Sequence, residues 1–299
     1  MNLARHLVDR GEEVLLLDNR RLQAASFLVP FWDNQVKGVT GDLLDLPSLF
    51  SLIKKNSIES IIHTAAIFEG SGTLYQVLRV NLEGTANVLE AGRIFGLRRV
   101  TFISSSTVYH GAKDAISFHE GLDLPVTSDG FISATKKAGE QICLLYAKEY
   151  GLSVAIFRLA RAYGPGSHRG LNPVEIMVEN AIAGRTADLS QTYGESRSNH
   201  IYVKDCAKGI SLVHCAKVLK HNIYNLGDGT SHSLSDFAEA VREAIPSAKI
   251  HLGTTRPKVD LSLPPLDIDR IKGEVGFVPD YSLKEGVEDY IEWVRDNRY

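Results

Sequence analysis

Apolar residues along the chain fall into short solid runs separated by stretches of helical period. Leu3, Leu7 and Val8 recur at helical spacing, and Gly11 follows as a C-cap. EEVLLLD (12–18) then reads as a buried strand that stops at an acid. VKGVTGD leads to a second strand ending at Asp42, and a helix is expected over 46–55. IESIIH gives a third run (58–63), followed by a long helical stretch over 73–95. RRVTFISSS supplies a strand over 99–104, a helix follows over 133–150, and LSVAIFRLA (152–160) is strand-like again. Solid apolar strands alternating with helices predict a parallel sheet covered on both faces, a doubly wound α/β fold of Rossmann type.

After Tyr163 the pattern loosens. YGPGSHRGLNP is rich in Gly, Pro and Ser and reads as loop, and a closing helix is expected over 283–297. The expected division is a dinucleotide-binding domain over 1–160 and a smaller substrate lobe over 161–299, interleaved with returns to the sheet. No internal repeat or low-complexity tract is present.

Composition narrows the function classes. A net charge of −3 with scattered basic residues favours neither a nucleic-acid partner nor an anionic membrane. Three cysteines without CxxC spacing argue against a disulfide framework and against a metal site, and point to the cytoplasm. No apolar run reaches the ~18 residues of a membrane span, and the amphipathic N-terminus lacks the apolar core of a signal peptide.

The chemistry-bearing residues cluster at strand ends, where open α/β sheets bind ligands. Asp18 ends its strand, with Asn19 beside it; an acid there accepts hydrogen bonds from both adenosine ribose hydroxyls, or caps a turn. Arg20 and Arg21 follow and would suit a 2′-phosphate instead. Asp42, before Leu43, either meets the adenine amino group or caps a loop. His63, Ala65 and Ala66 close the third strand, where small residues let backbone approach a cofactor. Asn81 is a polar residue within an amphipathic helix, suited to bridging backbone, and is counted among the cofactor-binding candidates. Ser104 to Thr107 end the next strand, and a hydroxyl there is placed to hold a carbonyl or alkoxide oxygen.

Taken in order, VLLLDN, GDLLD, HTAA, VNLEGTANVLEA, FISSSTVY, KKAGEQ, RLARAYGPG, YVKDCAKG and YNLGDG resemble the extended short-chain dehydrogenase/reductases, the NAD-dependent epimerase/dehydratase group. The resemblance covers essentially the whole chain. It implies that Ser105 and Lys136 are the catalytic serine and lysine, with Lys136 bonding the nicotinamide ribose. It implies adenosine contacts at Asp18 and Asp42, a crevice lined by His63 to Ala66, NAD rather than NADP as cofactor, and a small-molecule substrate. It also implies a homodimer through two long helices.

Two departures stand out. The family's opening strand and its Gly-rich pyrophosphate turn are absent together, because Met1 already lies inside the following helix. Loss of that mid-sheet strand exposes two edges, at about 1–3 kcal/mol per unpaired buried group. Three accounts compete: an internal methionine taken as the start, direct pairing of the flanking strands, or a partner chain in the gap. A chain of this length is expected to bind dinucleotide weakly.

The second departure is the catalytic tyrosine. Four residues before Lys136 stands Ile132, with Phe131 before it. Tyr109 and Lys113 match Y-x-x-x-K literally, but in a loop. His110, His168 and Tyr163 are the alternative proton carriers, with His110 nearest the crevice. On the substrate side Thr107 stands where 4,6-dehydratases carry an acid, which argues against dehydration. Arg161 and Arg197 are candidates for clamping a diphosphate, or surface arginines. The leading expectation is an NAD-dependent epimerase or reductase with impaired chemistry. The alternatives are a non-catalytic dinucleotide- or metabolite-binding protein and a truncated, non-functional product.

Overall fold

A computed structural model describes all residues except 69, 71, 113, 114, 167–171, 257–261, 298 and 299. The first half alternates as the apolar runs predict. Helix α1 (Asn2–Asp9) precedes β1 (Val14–Asp18), and β2 (Val36–Thr40) leads to α2 (Leu46–Lys55). Asp45 caps α2 by accepting from the Ser48 amide, with Pro47 in the first turn. Then come β3 (Ser60–His63), α3 (Leu74–Leu78), α4 (Gly84–Ile94), β4 (Arg99–Ile103), α5 (Phe131–Tyr150) and β5 (Val154–Leu159). A capping box of Thr73 and Gln76 starts α3. Gly151, at φ 67°, ends α5 in the left-handed conformation that glycine adopts without strain.

The long helix expected over 73–95 is interrupted. Residues Arg79–Glu83 form a π-helical turn between α3 and α4, and Asn81 sits inside it, buried. A π-turn widens the helix locally and re-aims a side chain; here it turns a polar residue inward.

The second half holds β6 (Arg161–Tyr163), α6 (Pro173–Ile182), β7 (Thr186–Tyr193), β8 (Arg197–Tyr202), α7 (Val203–Cys215) and β9 (Ile223–Leu226). It closes with β10 (Ser231–Ser233), α8 (Leu234–Ala244), β11 (Lys249–Gly253), α9 (Asp269–Val275) and α10 (Leu283–Asn297). Strand β9 returns to the first half and pairs with β5, completing a parallel sheet in the order β3-β4-β5-β9. Leu49, Val88, Leu89 and Cys143 from α2, α4 and α5 pack one face of it. Cys206, Ile210, Val213 and Ile271 from α7 and α9 pack the other. The sheet is therefore doubly wound. The remaining strands form small ladders, β10-β8-β6 and β11-β7, around a separate core with α6, α8 and α10.

Strands β1 and β2 pair in parallel with each other and, among the described residues, with no other strand; a single bridge joins Val36 of β2 to Trp32. Among the described residues β1 and β3 do not pair, so direct closure of the gap between the flanking strands is ruled out. The two edges differ from the interior. Every residue of β1 and Ser60 to Ile62 of β3 is only half-buried, whereas Arg99 to Phe102 and Val154 to Arg158 are buried. Apolar side chains such as Leu15 and Ile61 thus flank a space between two parallel ladders.

Candidate functional site

The carboxyl ends of β4 and β3 and the start of α5 converge on one place. Gly139 allows this: a Cβ there would lie 2.6 Å from the Phe102 ring, so only glycine lets α5 close onto β4. One turn earlier on α5, Lys136 is buried, and its ammonium donates to the Ile103 carbonyl at 2.6 Å and lies 4.7 Å from the Phe102 ring centroid. Burial lowers its pKa from 10.5 to about 8. Ser133, on the same side of α5, donates to the Thr107 carbonyl at 3.0 Å. That bond fixes the turn carrying Ser105, whose Oγ accepts from the Thr107 amide (3.2 Å) and hydroxyl (3.0 Å). The Ser105 turn and the Lys136 helix face therefore meet at the mouth of the parallel sheet.

Ile132, four residues before Lys136 on α5, is buried. The literal Y-x-x-x-K match is a structural feature. Tyr109 is fully buried, its phenol donates to Asn225 at 2.8 Å, and burial pushes its pKa up to about 12. Lys113 and His168 lie outside the described residues. Tyr163 is buried in the core with its phenol on the Leu283 carbonyl, away from proton-transfer duty. His110 is half-buried, 3.6 Å from Asp129, and burial lowers its pKa; the charge of Arg161 also reaches it.

On the adenosine side, Asp18 Oδ1 accepts from the Arg20 amide (2.9 Å) and guanidinium (3.3 Å). Asp42 Oδ1 accepts from the Leu44 amide at 2.9 Å. Both are turn-capping geometries that leave the second oxygen of each carboxylate without a hydrogen bond among the described residues. Arg20 being turned onto Asp18 suits a free ribose better than a 2′-phosphate. Asn19 and Ala65 are exposed, and Leu43 and Ala66 half-buried, at the same strand ends. A concavity of about 500 Å³ opens beside them, lined by Leu44, Ile67, Tyr75 and Arg79 among others.

Three expected contacts are corrected. The His63 ring does not line the crevice: it is buried against Phe102 and bonded to Thr85 Oγ1 at 3.0 Å, and burial lowers its pKa to about 3. Asn81 does not reach into it either. Its amide bonds the Ile67 amide (2.8 Å), the Ile67 carbonyl (3.0 Å) and Thr135 Oγ1 (3.1 Å), tying the loop after β3 to α5. Arg197 bonds the Ser231 carbonyl (3.0 Å) and Asp236 (3.2 Å), which occupies it within its own lobe. Arg161 is exposed and has no hydrogen bond or ion pair among the described residues.

A buried polar network beneath the site was not expected. Arg158 of β5 pairs with Glu140 of α5 at 2.8 Å, with both side chains almost fully buried. Ser104 donates to Glu140 at 2.5 Å, and Arg158 donates to the Tyr109 phenol at 3.0 Å. The signal was an arginine in an otherwise apolar strand, which must find a charge partner when buried.

NAD suits part of this framework. Asp18 and Asp42 present acceptors at the ends of β1 and β2, and Lys136 presents a cation at the sheet mouth. A Gly-rich turn for the pyrophosphate is not among these 299 residues.

A family model described as the NAD dependent epimerase/dehydratase family matches residues 1–227. A UDP-glucuronate 4-epimerase of Thermodesulfobacterium geofontis is 25% identical over 305 residues, spanning 97% of this chain and 91% of that protein. Among solved structures, a UDP-glucose 4-epimerase of Thermotoga maritima, determined with UDP-glucose, superposes with a TM-score of 0.84 at 20% identity. It covers 99% of this chain and 95% of its own. A dTDP-glucose 4,6-dehydratase of Bacillus anthracis, solved in complex with NAD, has a TM-score of 0.84 at 21% identity, covering 99% and 93%. The last two show the fold; the family match, which spans most of the sequence, shows more. The chain belongs to the NAD-dependent epimerase/dehydratase family of enzymes.

Proposed function

We propose that the protein carries out NAD-dependent oxidation and reduction at a hydroxyl or keto carbon of a nucleotide sugar, with epimerisation as its net result. The observation that carries this reading is the meeting of the Ser105 turn with Lys136, held by the Ser133–Thr107 and Lys136–Ile103 bonds. Bound NAD supplies the hydride acceptor and donor. This chain's residues do the rest. The Ser105 hydroxyl, already oriented by Thr107, holds the reacting oxygen. The Lys136 ammonium has two further N–H donors beyond the one given to Ile103, and these fix a ribose hydroxyl and place positive charge near the reacting oxygen. Asp18 and Asp42 take the ribose and adenine. With Ile132 in the tyrosine's place, His110 is the residue best placed to move a proton, its lowered pKa keeping it neutral and able to accept one.

The test is turnover of UDP-glucose or UDP-glucuronate with NAD, followed by product analysis, in the parent and in Ser105→Ala. Activity lost in Ser105→Ala supports the reading. Activity unchanged in that variant refutes it. A non-catalytic binding protein is favoured by one observation, the buried Ile132; it predicts NAD binding with no turnover in either protein.

The assembly we propose is a homodimer. Leu74, Tyr75, Leu78 and Ile94 on the α3–α4 helix and Leu145 and Tyr150 on α5 are exposed large apolar groups. Light scattering is expected to give a dimer mass, reduced to a monomer by Leu145→Glu. A cytoplasmic location accords with Cys143, Cys206 and Cys215 all being free thiols. No described helix is long and apolar enough to cross a membrane.

A further inference from the structure

A histidine on a loop moves protons well only if something aims its ring, and His110 is held on two sides. The first side is the Ser105 turn. The Thr107 carbonyl accepts from the His110 amide at 3.1 Å and from the Ser133 hydroxyl at 3.0 Å. The Thr107 amide and hydroxyl both donate to Ser105 Oγ. One residue, Thr107, thus fixes the backbone of His110 and the hydroxyl of Ser105 together, and Ser133 ties both to α5.

The second side is the segment that leads into α5. Asp129 Oδ2 lies 3.6 Å from His110 Nδ1. Lys137 holds this segment: its ammonium donates to the Pro125 carbonyl at 2.7 Å and to the Thr127 carbonyl at 2.6 Å. Pro125 in turn touches the residue after His110, since a Cβ at Gly111 would lie 3.7 Å from the proline ring. Directly after Asp129, the Gly130 carbonyl accepts from the Ala134 amide at 3.1 Å and starts the helix. An exposed ion pair adds little stability, yet the backbone carrying this acid is fixed before and after it. A carboxylate only accepts, so Nδ1 is the nitrogen that carries the proton towards Asp129. Nε2 has no hydrogen-bond partner among the described residues and is left for a ligand. The charged groups that reach the ring are Asp129, Arg161 and Lys137. Burial lowers the His110 pKa, Asp129 opposes that, and the two cations add to it.

We propose that Asp129 is the positioning residue for His110, held in place by Lys137, so that an imidazole–carboxylate pair beside the Ser105 turn carries the proton of the reaction. The proposal rests on the reading of His110 as the proton carrier. The step moves one proton. The substrate O–H bond breaks, the proton passes to Nε2, and the electron pair stays on the substrate oxygen; when the carbonyl is reduced, the imidazolium gives that proton back to the oxygen. Asp129 takes no proton. It sets the tautomer and ring orientation and faces the positive charge that forms on the ring, where the 3.6 Å approach closes to a charge-assisted hydrogen bond.

Two readouts test this, and the first needs no cofactor. In the full chain labelled with ¹⁵N at histidine, His110 is identified by the ring signals lost in His110→Gln. The parent is expected to carry the His110 proton on Nδ1. Asp129→Asn, at an exposed position where the fold is not at risk, is expected to lower the midpoint of the His110 titration by about one pH unit and to mix the tautomers. In a Lys137→Met background the same substitution is expected to shift the midpoint by clearly less, because the acid is no longer held. The second readout is turnover of UDP-glucose with NAD. Asp129→Asn is expected to lower kcat by about tenfold or more and to move the acid limb of its pH profile to lower pH, and Asp129→Glu to recover part of both. A His110 midpoint and tautomer that do not respond to Asp129→Asn overturn the proposal whatever the turnover. Equal losses in the Asn and Glu variants with the acid limb unmoved also overturn it, since the acid then serves only the shape of the loop. The expected ring response in a parent that never turns over UDP-glucose removes the proposed function and leaves the pair standing.

Discussion

The ammonium of Lys136 donates to the carbonyl of Ile103 at 2.6 Å, which ties the middle of α5 to the end of β4 at the point where the Ser105 turn begins. The bond holds a cation where water is largely excluded, and the pKa falls from 10.5 to about 8. The sign of the consequence follows from proton counting. Between pH about 8 and 10.5 the unfolded chain holds a proton that the folded chain has released, so stability rises with pH through that window. Below it the full burial penalty is present. Relative to Lys136→Met, the parent is expected to gain on the order of 3 kcal/mol between pH 7 and 10.5, read as the difference between their urea unfolding curves. A flat difference would mean that Lys136 is not desolvated.

The Glu140–Arg158 pair is expected to act on stability first. Glu140→Gln keeps the bond to Ser104 but leaves a guanidinium buried without its counter-charge, at a cost of about 3–5 kcal/mol. Replacing both, Glu140→Leu with Arg158→Met, is expected to recover most of that. If the network also positions the Ser105 turn, the double variant regains stability without regaining turnover. Equal recovery of both would make the network purely structural.

The alternation of strands and helices was legible because solid apolar runs leave few alternatives in a parallel sheet. Boundaries such as β2, which ends at Thr40 and not at Asp42, were not, since the turn at Gly41 and Asp42 continues the same pattern. Motif order singles out Ser105 and Lys136 as candidates, and the close approach of α5 to β4 near them depends on Gly139, whose role appears only when Phe102 is placed against it. Position in the sequence puts His63 and Asn81 at the cleft, but both turn away from it for a physical reason, Asn81 into the backbone bridge that its place in the helix also suggested. A residue at a strand end or on a helix is assigned to the cleft by position, but its side chain turns to the nearest buried partner, Thr85 for one and the Ile67 backbone for the other.

Placing a phenol at Ile132 tests whether the Ser105 and Lys136 geometry is competent. Ile132 lies one helical turn before Lys136, so a side chain there shares its face. Ile132→Tyr places a phenol beside the ammonium, which lowers the phenol's pKa and lets it exchange a proton with the reacting oxygen. Turnover is expected to rise by about 10²–10⁴-fold, and Ile132→Phe to give no rise. Because Ile132 is buried, overpacking costs about 1–3 kcal/mol, so the variant melts lower while working faster. A lower melting temperature with no gain in rate would mean that Ser105 and Lys136 are not in working register.

The space between β1 and β3 yields the last prediction. Their apolar side chains are only half-buried, and the two strands belong to different ladders although both are parallel to their neighbours. A strand fused ahead of Met1 through a Gly-rich turn would precede α1 and lie between them, pairing with both edges. Fully burying three of its Val or Ile side chains contributes about 1.5–3 kcal/mol each. At about 2–4 °C per kcal/mol for a chain of this size, allowing for ordering of the added residues, the melting temperature is expected to rise by about 5–10 °C. The turn would bring backbone N–H groups to the α1 N-terminus, where they suit a pyrophosphate, so NAD affinity is expected to tighten at least tenfold in the same protein. A Gly/Ser segment of equal length is the control. An equal rise from that control, or a fused strand that raises neither quantity, would show that the two edges are not a template for a parallel strand.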